Sequence, residues 1–256
     1  MIRHEGKKRK HLSNLQMGGI TATAAGMVNV ASVMAFFTFT SNITGHMAIF
    51  SEELVRGNWH QSVVVLIWLF AFLIGAFSSN FLINKIKKYG LFLSNSITIL
   101  IQIMILIAVA TYGKFYYDES LLETEIMVAA LLFSMGYQNG LVATITNGVV
   151  KTTHLTGLFT DLGIALSLWS RKSQRKIKAL QQKLQLQIVI AFTYFTGGLI
   201  GGFIFASMGF SVFYFASLAM LITIVYDLVI VLVYKSKKKF ALALQSLFRK
   251  WNLVED

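Results

Sequence analysis

Six long apolar stretches, almost free of charged residues, limit what this chain can fold into more than any other feature. A helix needs about 20 mostly apolar residues to cross a bilayer core about 30 Å thick. The stretches that meet this length are residues 18–40, 59–83, 91–112, 126–150, 188–208 and 211–234. Only 13% of the residues are charged, against about 25% in soluble domains. The sequence therefore predicts an all-α integral membrane protein with about six transmembrane helices, and it excludes a soluble globule.

Lysine and arginine residues cluster in alternate connections between these stretches. If the N-terminus is cytoplasmic, only Arg56 and Lys114 fall on the outer side. The basic groups that are then cytoplasmic lie at 3–10, 85–88, 171–183 and 235–250. This asymmetry follows the positive-inside rule. The net charge of +12 is thus a topology signal, and we expect no nucleic-acid partner. The prediction is a multi-pass protein of the bacterial cytoplasmic membrane with both termini in the cytoplasm.

This topology divides the chain into four segments. They are a basic N-terminus at 1–17, three helices within 18–112, three more within 113–234, and a tail at 235–256. The tail predicts either a helix in the membrane interface or a frayed end. Its apolar residues at helical spacing are Phe240, Leu244, Leu247, Phe248 and Trp251. Residues 158–169 have the length of a re-entrant or interfacial segment, and residues 171–187 are expected to continue the helix that enters the fifth span.

The two sets of three helices share an order of motifs. AGMVN at 25–29 compares with MGYQN at 135–139, and SNITG at 41–45 compares with THLTG at 153–157. A short amphipathic stretch follows each Thr-Gly pair. Because a unit of three spans places its second copy upside down, we expect two inverted three-helix repeats, a plan of secondary transporters with sites at the repeat interface. By analogy, this is also the plan of half of a major-facilitator transporter.

Through these motifs the chain resembles the YoaK-like family of small bacterial membrane proteins, a domain of unknown function. The resemblance covers roughly residues 18–234 and depends on Ala25, Gly26 and Asn29 together with three longer motifs. These are TSNITG at 40–45, MGYQN at 135–139 and TTHLTG at 152–157. The resemblance implies about six membrane helices and no established substrate. The family usually has Asp where Asn29 stands and Asn where His46 stands, so the family's carboxylate is missing at position 29.

Polar residues in or beside the spans are the candidate ligand-binding groups. The amides of Asn29, Gln138 and Asn139 either form a ligand site near the membrane midplane or hydrogen-bond the first helix to the fourth. The Thr-Gly motifs either open short helices whose free N–H groups attract an anion or cap ordinary loop ends. The topology puts these two motifs near opposite membrane faces. The candidate set is Asn29, Asn42, Thr44, Gly45, His46, Gln138, Asn139, His154, Thr156 and Gly157.

Histidines, acids and glycines give further candidates. His46 and His154, at nearly matching places, are either proton switches or structural histidines, and we expect no metal site. Asp161 and Asp227 are candidates for proton coupling because intramembrane acids are rare and usually functional, although Asp227 is near enough to the inner face to pair there. Four glycines of the fifth span suit either packing inside the chain or the seam of a homodimer. They are Gly197, Gly198, Gly201 and Gly202.

The sequence contains no nucleotide-binding loop, zinc-protease motif or serine-hydrolase motif, and we expect neither an enzyme nor a cofactor. The first hypothesis is a secondary transporter of an unidentified small molecule, acting as a homodimer in one version. The alternatives are a membrane scaffold or sensor that binds anionic lipid or a protein partner, and a small channel. A transporter predicts a polar cavity bounded by Asn29, Gln138 and Asn139, whereas a scaffold predicts that these amides pack against each other.

Overall fold

The computed structural model describes residues 1–3 and 10–229, and the described chain is helical throughout apart from short connections. The helices are α1 (His11–Phe36), α2 (Ile43–Val55), α3 (Trp59–Ile86), α4 (Leu91–Phe115), α5 (Leu121–Thr146), α6 (Leu155–Ser170), α7 (Lys178–Met208) and α8 (212–229). The six long helices lie where the sequence predicts spans, and α2 and α6 are short helices between them. The predicted amphipathic tail at 235–256 lies outside the described residues.

The last two long helices form one apolar run that turns back on itself. By length and hydropathy five stretches can cross a membrane, and the last, Lys178–Val229, is 52 residues long. Gly209 interrupts it with φ 56° and ψ −135°, a backbone region that glycine enters at little steric cost. Beyond this turn α8 runs back along α1, where Gln16 donates a hydrogen bond to the Tyr226 hydroxyl at 2.7 Å. The run therefore holds two helices, α7 and α8.

Helices α1 and α7 pack side by side in the same direction, and they make the most extensive contact in the described chain. Gly18, near the start of α1, faces Ile190, and Gly202, further along α7, faces Met34 near the end of α1. Small residues at such an interface let two backbones approach closely. The close packing of this pair follows from the glycines.

Helices α3 and α5 form a second parallel pair of nearly the same extent. Trp68 Nε1 donates to the Glu125 carbonyl at 3.0 Å at one end, and Asn80 Nδ2 donates to Thr144 Oγ1 at 2.7 Å towards the other. Helix α5 also contacts α1 and α4. The two parallel pairs are thus joined through α5, around which the buried core is built.

The charged residues separate to the two ends of this bundle. At the end where α1 begins, which we call the basic end, the connections carry Lys10, Lys85, Lys87, Lys88, Arg171, Lys172, Arg175 and Lys176. At the opposite, acidic end lie Glu52, Glu53, Asp118, Glu119, Glu123 and Glu125. Between the ends, long apolar side chains such as Phe77, Phe195 and Phe203 are exposed. Exposed apolar residues of this extent are what a lipid-facing surface requires.

Some helix boundaries differ from the predicted spans. Helix α1 begins at His11 and ends at Phe36, so the chain leaves the first helix four residues earlier than predicted and returns along it. The prediction that residues 171–187 continue the helix into the fifth span is confirmed for 178–187, which begin α7, and wrong for 171–177, which form a turn. The Arg175 guanidinium donates to the carbonyls of Trp169 at 3.0 Å and Ser170 at 3.4 Å. These bonds close the end of α6 and stop the helix there.

Candidate functional site

The first connection, residues 37–42, folds back against α1 and is held by Asn29. Asn29 Oδ1 accepts hydrogen bonds from the Thr40 N–H at 3.0 Å and the Thr40 hydroxyl at 3.2 Å. Asn29 Nδ2 donates to Ser41 Oγ at 2.9 Å and to the Ala25 carbonyl at 3.0 Å. One buried amide therefore brings the start of α2 back to the depth of Asn29 in the bundle.

The second connection, residues 147–154, is arranged in a similar way against α5. Asn139 Nδ2 donates to Thr153 Oγ1 at 2.7 Å, and Thr146 Oγ1 accepts from the Val150 N–H at 3.2 Å. The buried Thr152 Oγ1 has no hydrogen-bond partner among the described residues. The start of α6 is thus drawn back to the depth of Asn139, although by fewer bonds than hold the first connection.

The two connections meet at one cavity of about 1190 Å³. The first connection contributes Ser41 and Asn42, and the second contributes Thr153. Thr44 and Thr156, in the first turns of α2 and α6, line the same cavity. The topology predicts the two Thr-Gly motifs near opposite membrane faces, and in the structure residues of both motifs line one cavity. Because both connections fold back along their long helices, the starts of α2 and α6 both reach the interior of the bundle.

The cavity lies beside α7 and extends to the basic end. Tyr194 of α7 and Phe72 of α3 contribute aromatic rings to its wall, and Gln187 contributes a buried amide. The Gln187 Oε1 has no hydrogen-bond partner in the described part of the chain. At the basic end Lys183 forms a half-exposed ion pair with Asp161, with Nζ and Oδ1 3.1 Å apart. The cavity therefore joins a polar interior to a charged mouth.

The groups around the cavity are more basic than acidic. Lys151, His154 and His11 line it together with the Lys183–Asp161 pair. Partial burial lowers the pKa of His154, and the nearby Lys151 ammonium lowers it further, so the imidazole is neutral at neutral pH. His154 precedes α6 without making a side-chain capping bond, so the first N–H groups of α6 also contribute positive potential. This arrangement suits an anionic or strongly polar ligand.

The ligand-binding residues named from the sequence fall into two groups. Five of them line the cavity and are exposed to it. They are Asn42, Thr44, His154, Thr156 and Gly157. Asn29 and Asn139 lie behind the wall and hold Ser41 and Thr153, so they position cavity residues. None of the three amides is among the residues that line this cavity, and in the described chain the hydrogen bonds of each go to other residues.

Gln138 and Gly45 are not among the residues that line the cavity. Gln138 is buried, donates to the Thr21 carbonyl at 2.8 Å and accepts from Gln102 Nε2 at 2.6 Å. Gln138 links α5 to α1 and α4. The fourth predicted span is α5, so this glutamine makes the expected link between the first and fourth spans. Gly45 donates its N–H to the Asn42 side chain at 3.1 Å, which makes Asn42 the N-cap of α2.

The two histidines are not equivalent in the fold. His154 stands at the N-cap position of α6, where α2 has Asn42. His46 is one turn inside α2, buried, with its Nε2 2.7 Å from the Phe39 carbonyl and its ring 5.8 Å from that of Trp68. Burial lowers the pKa of His46, and the bond to Phe39 opposes this shift. His46 thus packs α2 against α3.

The two candidate acids have partners within the chain. Asp227 is fully buried near the basic end, and its carboxylate accepts from the Met1 ammonium group and the Ile2 N–H, with Arg3 Nε at 4.0 Å. Asn95 of α4 donates to the Ile2 carbonyl at 2.7 Å. This network ties the first residues to α4 and α8. Asp161 takes part in the ion pair with Lys183 at the cavity mouth.

All four glycines of α7 face α1. A Cβ on Gly197 or Gly201 would collide with the backbone of Thr23 or Met27. Gly198 and Gly202 approach the Val30 side chain. Packing inside the chain, one of the two interpretations of this pattern, therefore describes their contacts.

Several cavity residues escaped the sequence analysis. Lys151 was not singled out, Lys183 counted only as a topology signal, and Gln187 was included in a predicted helix extension. Tyr194 had a detectable signal, because an aromatic residue three positions before a glycine occurs at Phe72 in FLIG and at Tyr194 in YFTG. The helix-to-helix contacts needed to bring these residues to one cavity are not visible in a linear motif.

Comparison with known proteins identifies the family. Residues 17–226 match the family described as "Protein of unknown function (DUF1275)". The chain belongs to this family. The match agrees with the resemblance to YoaK-like membrane proteins. No curated protein and no solved structure matches the DUF1275 chain, so its fold and cavity must be interpreted from their own geometry.

Proposed function

We propose that this DUF1275 protein is a secondary transporter whose ligand binds in the cavity between α2 and α6. The observation that carries the proposal is that matching segments of the two halves, residues 41–44 and 153–157, line one cavity. Transporters built from repeats bind their substrates at the repeat interface, where interrupted helices meet. Non-helical backbone at membrane depth is tolerated where it lines such a cavity.

The order of the helices supports two repeats. One long helix, one short helix and two long helices occur in α1–α4 and again in α5–α8. The contacts repeat as well, since α1 packs on α7 as α5 packs on α3, and α2 packs on α3 as α6 packs on α7. Exchanging the two halves therefore exchanges these contacts with one another. Since α1 and α5 run in opposite directions through the bundle, the repeats are inverted.

Individual contacts support the same relation. A Cβ on Gly26 would collide with the Tyr194 carbonyl, and one on Gly136 would collide with the Phe72 carbonyl. The same sequence separation relates Gly26 to Gly136 and Asn29 to Asn139. The bond from Asn29 to Ser41 likewise has its counterpart in the bond from Asn139 to Thr153. Matched pairs at several depths favour a two-fold axis that passes through the bundle.

In this proposal the basic end faces the cytoplasm, as the positive-inside rule requires, and the cavity is open to the cytoplasm. The first connection closes the path to the outside. Access alternates when the two equivalent connections exchange their arrangements. In the outward-open state the Thr152 N–H and hydroxyl would bond to Asn139 Oδ1, as those of Thr40 bond to Asn29 Oδ1 in the described state.

The chain contains no cysteine, which allows a test without background. We would introduce Thr44→Cys or Thr156→Cys and label each variant with a membrane-impermeant maleimide, applied from one side of the membrane at a time. Alternating access predicts that each cysteine is modified from both sides. His60→Cys, exposed at the acidic end, and Ser173→Cys, exposed at the basic end, are matched controls that should each react from one side.

Modification of Thr44→Cys and Thr156→Cys from the basic side alone would contradict alternating access. It would favour the alternative function, a scaffold or sensor that binds anionic lipid or a partner through its basic end. Simultaneous access from both sides in every molecule, measured by complete modification at the same fast rate, would favour a channel.

The homodimer is a separate part of the proposal. Gly198 and Gly202 contact α1 and also lie at the edge of the lipid-facing surface of α7. If α7 also forms a dimer seam, Ile200→Trp on the exposed face of α7 should shift the detergent-solubilised particle to a monomer. Leu73→Trp on the exposed face of α3 is the control. A monomer before any substitution would remove the homodimer from the proposal.

A further inference from the structure

An apolar groove adjoins the polar cavity and faces the surrounding bilayer. Its volume is about 590 Å³, and it lies between α1, α6 and α7. Its wall contains Met34, Phe159, Phe195 and Phe203, all of which are largely exposed on the outside of the helices. The groove follows α7 from Ala191 to Ala206, which is about 22 Å at 1.5 Å per residue. That length exceeds half of a hydrocarbon core of about 30 Å, the depth available to one acyl chain.

The cavity and the groove share two wall residues, Leu155 at the start of α6 and Tyr194 of α7. A ligand that occupies both would place its polar part beside Thr153 and Thr156 and its apolar part along α7. Because the groove opens sideways, the apolar part could enter from the bilayer without crossing water.

The polar half of this site is suited to an anion. Lys151 and the first turn of α6 supply positive potential. The Gln187 side chain, 7% exposed, lines the cavity with an unpartnered Oε1 among the described residues. A side-chain amide turns to present either its donor or its acceptor. It would bond a carboxyl group in either protonation state.

We propose that the ligand is a single-chain amphiphilic carboxylate taken from the bilayer, with its carboxylate in the cavity and its alkyl chain in the groove. This inference rests on the proposed transport function and names its substrate class. The apolar groove and the basic cavity adjoin at two shared wall residues, Leu155 and Tyr194. This arrangement favours a molecule with one charged end and one alkyl chain. The exposed groove wall favours the bilayer as the source.

The test is photolabelling of the whole chain in phosphatidylcholine nanodiscs at pH 8 with hexadecanoate that carries a diazirine at the end of its chain. We expect saturable labelling of Phe159, Phe195, Leu199 or Phe203, located by mass spectrometry. Unlabelled hexadecanoate should compete, whereas hexadecanol and acetate should not. Lys151→Gln should weaken labelling about tenfold, since a hydrogen bond to a charged group contributes about 1.5–3 kcal/mol. Lys178→Gln, also basic but outside the cavity wall, should leave labelling unchanged.

A second variant separates the chain from the carboxylate. Leu199→Trp fills the groove and should abolish labelling there, whereas Leu73→Trp on the lipid face of α3 should not. Equal competition by hexadecanol, or labelling that Lys151→Gln leaves unchanged, would overturn the inference and make the groove an ordinary lipid contact. If the cysteine variants alternate between sides but labelling fails, transport stands and this substrate class falls. If labelling succeeds but access is one-sided, the amphiphile site stands without transport.

Discussion

The first and second connections each join a long helix to a short one, yet they are held to different degrees. In the first, Asn29 bonds both Thr40 and Ser41, and Asn42 caps the helix that follows. In the second, Asn139 bonds Thr153, and His154 stands at the cap position without a capping bond. One backbone plan thus exists in a tightly bonded and a loosely bonded form within the same chain.

In the proposed mechanism the tightly bonded connection is the closed side of the molecule and the loosely bonded connection is the open side. The tightly bonded connection lies between the cavity and the acidic end, and the loosely bonded one lies beside the cavity mouth at the basic end. Hydrogen bonds in the membrane interior are individually weak, about 0.6 kcal/mol on average in measured cycles. A difference of a few bonds is therefore small enough to be reversed by a bound ligand.

The largest loss of stability we expect comes from replacing Asp227 of α8. Helix α4, which corresponds to α8 in the proposed repeat, has no charged residue in its membrane-spanning part. Asp227→Asn should destabilise the protein by about 3–5 kcal/mol, the usual result of leaving one partner of a buried ion pair uncompensated. Unfolding in mixed micelles would measure it. Asp161→Asn, which breaks a half-exposed pair, should cost about 0–1 kcal/mol. Equal losses would mean that Asp227 is not ion-paired.

The next effect compares the two asparagines directly. Asn29→Leu leaves the Thr40 N–H and two hydroxyls without their partner, and it should cost on the order of 2–3 kcal/mol. Asn139→Leu removes the bond to Thr153 and should cost about 1 kcal/mol. Thermal unfolding of both variants, with exposed Asn84→Leu as control, would measure the difference. If Asn139→Leu proves the more damaging variant, the order of the two connections is reversed.

A smaller change in stability, of opposite sign, is expected for Thr40 and Thr152. Thr40→Val removes a hydroxyl that bonds Asn29 and should destabilise the protein by about 1 kcal/mol. Thr152→Val removes a buried hydroxyl that has no partner in the described chain and should be neutral or stabilising in this state. If the connections exchange arrangements, Thr152→Val should also slow modification of Thr44→Cys from the outer side. A destabilised Thr152→Val protein with unchanged labelling would contradict the exchange.

The smallest effect concerns the pKa of His154 in the second connection. Burial and Lys151 both lower it, so Lys151→Gln should raise it part of the way, because burial remains as the larger cause. NMR titration of labelled histidine would follow this shift, with His60 as an exposed reference. Since the pKa is lower in the folded state than in the unfolded one, His154 contributes stability above its unfolded pKa, and this stability is lost as the pH falls. A pKa that falls in the variant would contradict the proximity of Lys151.

Much of the fold was predictable because lipid imposes simple rules on a sequence. Apolar length gave the approximate positions of the six long helices, and the short stretch at 158–169 was separated correctly from the spans. The helix ends were less predictable. The chain turns at Phe37 inside an apolar run, and no hydropathy value marks a residue that leaves a helix while still surrounded by apolar neighbours.

The candidate site was predictable in its parts and not in its arrangement. Asn42, Thr44, His154 and Thr156 were recognised from the Thr-Gly motifs, which mark helix starts through local hydrogen bonding. The sequence left the asparagines as either ligand-binding residues or a link between the first and fourth spans, and their contacts instead hold the two connections. A side-chain amide donates and accepts equally well to a ligand or to backbone, so its partner depends on what the tertiary structure brings near.

The sequence by itself determined that this protein is a helical membrane protein of the DUF1275 family. It also determined which polar residues lie within apolar helices. Helix length, charge and small-residue spacing act along one helix at a time, and they can be read from the order of residues. Only the tertiary structure decided that α2 and α6 begin at one cavity, that Asp227 binds the N-terminal residues, and that an apolar groove adjoins the basic cavity. These features depend on contacts between helices far apart in sequence, and many helix arrangements satisfy the same apolar pattern.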